Sequence, residues 1–142
     1  MTGWRGYIFS REIGGSIIPH RVQNLVIRDY AAKHGLEYLL SAVEYRMKGS
    51  FMMLKALIEE RDTLDGVILY NTHLLPLDKQ LRTRFFQTFL TKNKDIRFAL
   101  EDLEISQEKD IEIIEDIILT RKLTNASPSN LKASMIRDRI EG

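Results

Sequence analysis

The chain alternates short apolar runs with longer stretches in which apolar residues recur every three or four positions. The short runs predict four β-strands, which are Trp4–Phe9, Leu36–Leu40, Val67–Tyr70 and Ile96–Leu100. Val67–Tyr70 is apolar throughout, as is typical of a strand covered on both faces. Because each strand is followed by a helical pattern, the order predicts right-handed βαβ crossovers and a parallel sheet.

Apolar residues at helical spacing predict four helices. The first begins at Pro19, because proline suits the first turn of a helix, and it ends before Gly35, a residue common just past a helix end. Its apolar stripe consists of Val22, Leu25, Val26 and Tyr30. Three further stripes begin at Phe51, Leu81 and Ile111. We therefore expect residues 1–123 to form a three-layer α/β domain with a mostly parallel sheet of four or five strands.

The chain changes character after Leu123. Thr124–Asn130 is rich in Ser, Asn and Pro and predicts a linker. Leu131–Ile140 predicts a short helix with apolar residues on one side. Such a helix is marginally stable alone and needs a surface to pack against. We therefore assign residues 124–142 to a linker and a C-terminal helix with a role in oligomerisation, and we expect a homo-oligomer.

Composition removes several classes of function. The chain has 142 residues, of which 44% are hydrophobic and 29% charged, as is typical of one globular domain. The absence of cysteine excludes disulfides and thiolate metal sites. A net charge of +1 argues against non-specific nucleic-acid binding as the main role. No apolar run approaches about 20 residues, so we expect no membrane span, and the cytoplasm is the favoured location.

Known metal and phosphate-loop signatures are missing. The three His residues, His20, His34 and His73, are scattered and show no metal-ligand spacing. Ser10–Ser16 contains a Gly pair but matches neither GxGxxG nor GxxxxGK[ST]. We therefore expect no metal and no cofactor.

Polar side chains follow each predicted strand, and ligands of open parallel sheets bind at the carboxyl ends of the strands. The catalytic candidates are Ser10, Glu44, His73 and Glu101. The substrate-binding candidates are Arg11, Arg21, Gln23, Asn24 and Tyr45, three of which lie near the start of the first helix. The two arginines suit an anionic group, and the carboxylates and the imidazole suit acid–base chemistry. Two alternatives stay open: Ser10 is a turn residue, and the carboxylates pair with arginines.

Two resemblances extend this interpretation. The segments Arg5–Arg11, Ile18–Leu25, Leu40–Tyr45, Asp65–Tyr70 and Phe98–Glu101 resemble a small bacterial family, the sporadic carbohydrate cluster proteins. That resemblance implies a place in surface-polysaccharide or sugar biosynthesis, with no defined reaction.

The second resemblance, a more distant one, is to the catalytic domain of serine recombinases (resolvase-like). In that family a strand ending in Arg-x-Ser precedes a helix that bears a Gln. Tyr7-Ile8-Phe9-Ser10 and Gln23 occupy these places, and the resemblance implies that the family's nucleophile carries over to Ser10. However, Ile8 replaces the motif's arginine, and Thr72–Pro76 replaces the family's Asp-Arg-Leu-x-Arg motif. Without these cations the scissile phosphate is not neutralised, so we do not expect DNA cleavage.

Two hypotheses of function follow. The first is a protein of sugar biosynthesis, in the form of a cofactor-free isomerase, epimerase or lyase acting on a sugar or nucleotide-sugar. The alternative is a non-catalytic recombinase-like module that dimerises or docks a partner enzyme. The sequence leaves open whether the chain is an enzyme. The expected partners are a sugar ligand or a pathway enzyme, and nucleic acid is not expected.

Overall fold

The structure, a computed structural model, describes the backbone of residues 3–138 and the side chains of residues 3–124. Five strands form one sheet in the order β2-β1-β3-β4-β5. The strands are β1 (Trp4–Phe9), β2 (Tyr38–Glu44), β3 (Gly66–Leu69), β4 (Asp95–Phe98) and β5 (Leu103–Ile105). The first four are parallel to their neighbours, and β5 runs antiparallel to β4. The predicted α/β fold with a mostly parallel sheet is confirmed.

Four helices accompany the sheet, which are α1 (His20–Lys33), α2 (Met52–Glu59), α3 (Lys79–Thr91) and α4 (Glu108–Asp138). The chain steps from β1 to β2 in one direction, and from β2 to β3 and from β3 to β4 in the other. Right-handed crossovers therefore place α1 on one face of the sheet, and α2 and α3 on the opposite face.

The core lies around the two central strands. Tyr7 and Ile8 of β1 are 0% exposed, and every residue of β3 is buried. Gly66 begins β3 beneath the ring of Trp4, where an added Cβ would collide with that ring and with the backbone oxygen of Asp95. The absence of a side chain at this position allows β1, β3 and β4 to pack at normal spacing.

Two strands differ from the sequence-based expectation. β2 begins at Tyr38 and runs to Glu44, past the predicted end at Leu40, because the polar side chains of Ser41 and Glu44 find partners on neighbouring elements. The sequence allowed for a fifth strand but did not locate β5, since three residues with a central glutamate give almost no strand signal.

The C-terminal region also differs. α4 continues through the segment Thr124–Asn130, which composition assigned to a linker. The chain divides into two compact units, Met1–Glu108 and Lys109–Gly142. The side chains from residue 125 onward, which include the predicted apolar side of the terminal helix, lie outside the described part, so the oligomerisation role of residues 124–142 stays a prediction. None of the helices among the described residues is both long and apolar enough to cross a bilayer.

Candidate functional site

Ser10 and Arg11 lie in the bend after β1 and contact different helices. Ser10 faces α1, and its Oγ lies 3.0 Å from Nε2 of His20 in the first turn of that helix. Arg11 faces α2, and its guanidinium carbon lies 4.1 Å from the ring centre of Phe9 and 5.0 Å from that of Phe51. Ser10 and Arg11 therefore belong to two separate sites, one beside α1 and the other beside α2.

Gln23 anchors α1 to the end of β1. Its side chain is fully buried, and its Nε2 donates to the carbonyl oxygens of Phe9 and Ile18, both at 2.8 Å. Its Oε1 accepts from the Phe9 amide at 2.9 Å. With the amide occupied by backbone groups, Gln23 positions the strand end and the loop that holds Ser10.

Asn24 joins α1 to β2. Its Oδ1 accepts hydrogen bonds from Ser41 Oγ at 2.7 Å and from the Tyr38 hydroxyl at 3.2 Å. Arg21 is exposed in the first turn of α1, and Tyr45 is exposed beyond the end of β2.

Glu44 is a buried carboxylate, 1% exposed, at the end of β2. It accepts from the backbone amides of Met53 and Leu54, in the first turn of α2, at 3.1–3.2 Å. Three further donors reach it, which are the Tyr7 hydroxyl at 2.7 Å, the Tyr45 amide at 3.0 Å and Ser50 Oγ at 3.3 Å. A carboxylate at a helix N-terminus satisfies amides that have no partner within the helix. The geometry thus gives Glu44 a structural role in holding α2 against the sheet.

The Tyr7 hydroxyl shares this environment. Burial, and secondarily the hydrogen bond to the Glu44 carboxylate, raises the pKa of Tyr7 far above its ordinary value of 10.0. The phenol therefore stays protonated at neutral pH and donates its hydrogen bond to Glu44.

His73 and Glu101 follow adjacent strands. The His73 amide donates to Asn71 Oδ1 at 3.0 Å in a short 3₁₀ turn, Thr72–Leu74. Glu101 Oε2 accepts from the Thr72 amide at 3.0 Å and from its hydroxyl at 2.6 Å. Glu101 thus holds the turn that carries His73, and a Cβ on Gly14 would lie 3.3 Å from the His73 ring, which shows how closely the β1–α1 loop covers that ring.

A cavity of about 480 Å³ opens beside Arg11 at the carboxyl ends of β1 and β3. Its polar lining consists of Arg11, Lys48, Lys55, His73 and Asp78. Its apolar lining includes Phe9, Phe51, Leu75, Leu77 and Leu81. The structure thus brings Arg11 and His73 to one cavity, whereas Ser10 does not line it.

No family model and no curated protein matches the sequence. The chain is similar in structure to the N-terminal catalytic domain of TP901-1 integrase, with a TM-score of 0.59 and 16% sequence identity over 86% of this chain and 97% of that chain. It is also similar to a resolvase family site-specific recombinase from Streptococcus pneumoniae, with a TM-score of 0.57 and 12% identity over 95% of this chain and 98% of that chain.

The fold is resolvase-like. The distant resemblance seen in the sequence is therefore confirmed at the level of fold. The prediction of a role in carbohydrate biosynthesis is wrong, because the two structural neighbours described above are recombinase chains and not enzymes of sugar biosynthesis. The comparisons also give no support to the sporadic carbohydrate cluster family, to a sugar ligand, or to the expectation that nucleic acid is not a partner.

Three residues of this resolvase-like domain escaped the sequence-based site prediction. His20 is exposed in the first turn of α1, one residue after Pro19, and nothing in the sequence indicates that its ring contacts Ser10 after β1. Lys48 and Lys55 were not singled out, because nothing in their local sequence shows that they border a cavity. Among the described residues, no group of three or more His, Asp or Glu is arranged to hold a metal ion.

Proposed function

We propose that the chain is a non-catalytic recombinase-like module that self-associates through α4. The observation that carries this proposal is an apolar stripe on the described part of that helix. Ile113, Ile117 and the methyl-bearing Thr120 and Thr124 recur at helical spacing, and Leu123 flanks this line. Ile113 is 53% exposed and Leu123 is 60% exposed. A second copy of the helix would remove this surface from water.

We expect no recombinase-type cleavage, because the positions that hold arginines in the recombinase family hold other residues here. Ile8, in place of the arginine of the strand motif, is 0% exposed within the core. In the turn that replaces the second motif, the two arginine positions hold His73, which is exposed, and Pro76, which is buried. None of these positions carries a guanidinium group to neutralise a phosphodiester, and phosphoryl transfer requires such charge.

Light scattering coupled to size exclusion tests the self-association. We expect the wild-type chain to have about twice the 16.5 kDa mass of one copy, and the Ile113→Lys/Leu123→Lys variant to approach the mass of one copy. Leu25→Lys on α1 is the matched control, since Leu25 is an equally exposed apolar residue, 66% exposed, on another helix. A single-copy mass for the wild type at high concentration contradicts the proposal, as does dissociation by Leu25→Lys alone.

A second candidate function, nucleophilic catalysis by Ser10, is favoured by one contact. The 3.0 Å separation between Ser10 Oγ and His20 Nε2 is the geometry of a nucleophile beside its general base. We expect a fluorophosphonate probe to label Ser10, and His20→Ala to slow the labelling at least tenfold. His34→Ala is the matched control, because His34 is another exposed histidine, just past the end of α1. Equal labelling in Ser10→Ala would refute this function.

A further inference from the structure

The cavity beside Arg11 lies at the point where the chain direction across the sheet reverses. The connection after β1 leads to β2 on one side, and the connection after β3 leads to β4 on the other. The two loops therefore separate and leave a crevice between the carboxyl ends of β1 and β3. Ligands of open α/β sheets bind in this crevice, and here it is lined by residues from both loops.

Charge in the cavity favours an anion. Arg11, Lys48 and Lys55 contribute three positive charges, and Asp78 contributes the one carboxylate among the lining residues. Asp78 already caps α3, because its Oδ1 accepts from the Gln80 amide at 3.0 Å. The excess of positive charge in this crevice contrasts with a net charge of only +1 for the whole chain.

Arg11 is held in place before any ligand arrives. Its Nη1 donates to the carbonyl oxygens of Tyr45 and Met47, at 2.8 and 3.2 Å. The guanidinium carbon also lies over the Phe9 and Phe51 rings. The two hydrogen bonds use only Nη1, so the N–H groups at Nε and Nη2 take no part in them. A fixed planar fork of this kind matches the oxygens of a phosphate group.

The remaining wall is apolar. Leu75, Leu77 and Leu81 line the cavity beyond the cations. Its volume of about 480 Å³ falls within the range of about 300–1,000 Å³ typical of small-molecule sites. Inorganic phosphate alone would leave this apolar surface uncovered, whereas a ligand with an aromatic body would cover it.

We propose that this cavity binds a small organophosphate with an aromatic body, such as a nucleotide, with its phosphate at Arg11, Lys48 and Lys55 and its aromatic body against the leucines. This proposal does not rest on self-association through α4. It adds a ligand site to the module and requires no chemical step.

Titrations followed by ¹H–¹⁵N NMR test the proposal on the full chain at low ionic strength. The probes are phenyl phosphate and adenosine 5′-monophosphate, with phenol, adenosine and inorganic phosphate as the matched fragments. We expect the two organophosphates to shift the signals of the Arg11 side chain and of the amide of Gly49, which also lines the cavity. Each fragment should bind at least tenfold more weakly, because it reaches only the cations or only the apolar wall.

A pair of double variants locates the site. We expect Lys48→Gln/Lys55→Gln to weaken both organophosphates at least tenfold. The control Lys33→Gln/Lys92→Gln removes two exposed lysines that pair with Asp29 and Asp62 elsewhere on the surface, and it should leave binding unchanged.

Three results would overturn the proposal. The first is that neither organophosphate shifts the Arg11 and Gly49 signals. The second is an equal loss of affinity in the control variant, which would indicate non-specific attraction to positive charge. The third is that a duplex oligonucleotide shifts these signals while both organophosphates fail, which would assign the surface to nucleic acid.

Discussion

Replacing Glu44 by Ala is expected to lower the free energy of unfolding by about 3–5 kcal/mol, because it leaves several buried hydrogen-bond donors without an acceptor. Glu44 is 1% exposed and accepts hydrogen bonds from five residues. This measurement distinguishes a structural role of the Glu44 carboxylate from the acid–base role that the sequence suggested.

The magnitude follows from the groups that lose an acceptor. Without the carboxylate, the Tyr7 hydroxyl and the Leu54 amide are buried with no replacement partner from Glu44, and each such group costs about 1–3 kcal/mol. Loss of the contact at the start of α2 adds about 1 kcal/mol, the typical effect of removing a helix cap. Glu44→Ala also removes the desolvation cost of a buried carboxylate, and this gain offsets part of the sum.

Urea denaturation followed by circular dichroism measures the effect at neutral pH. Glu44→Gln keeps one acceptor oxygen and should lose about half as much stability as Glu44→Ala. Glu37→Ala, which truncates an exposed glutamate just before β2, should leave stability unchanged. A loss below about 1 kcal/mol for Glu44→Ala would refute the reasoning, because it would mean that the five donors find other acceptors at little cost.

Three further outcomes are expected. Because burial raises the pKa of Tyr7 above its ordinary value of 10.0, the unfolded chain releases this proton near pH 10 while the folded chain keeps it. Stability should therefore be complete below about pH 10 and fall above it, by up to about 1.4 kcal/mol per pH unit. Tyr7→Phe should reduce that slope in urea titrations, and an unchanged slope would contradict the assignment. Gly66→Ala should cost about 1–3 kcal/mol, since the new Cβ meets the Trp4 ring and lies 2.5 Å from the Asp95 oxygen; a neutral effect on the thermal midpoint would show that the strands can separate. Gln23→Leu should cost about 2–4 kcal/mol by leaving buried backbone groups of β1 without their partner, and a smaller loss in the same urea assay would mean that water replaces the amide.

The central part of the fold could be predicted because its strands are apolar runs. β3 is buried at every position and β1 at all but one, and burial on both faces of a parallel sheet favours such apolar runs. β4 was recognisable from Ile96 and Phe98, although these alternate with the charged residues Asp95 and Arg97. β2 was harder to locate, because the polar residues Ser41 and Glu44 lie within it and are compatible with a strand only through the partners that the fold provides. β5, with three residues, depends on its pairing with β4 rather than on its own pattern.

The candidate site was predictable only in outline. The parallel sheet indicated which strand ends would meet, and Arg11 and His73 do line one cavity. The direction of each side chain could not be read from the sequence, because it depends on how each strand end enters its loop. Ser10 and Arg11 are neighbours in sequence, yet one contacts α1 and the other lies over rings near α2.

The position of β1 between β2 and β3 has a consequence for synthesis of the chain. β1 leaves the ribosome before either neighbour, and its pairing with β3 requires the chain up to Leu69. At translation rates of about 5–20 residues per second, the strand waits for that partner for about 3–12 s. During this interval Tyr7 and Ile8, which are fully buried in the finished molecule, are open to chaperones and to other nascent chains.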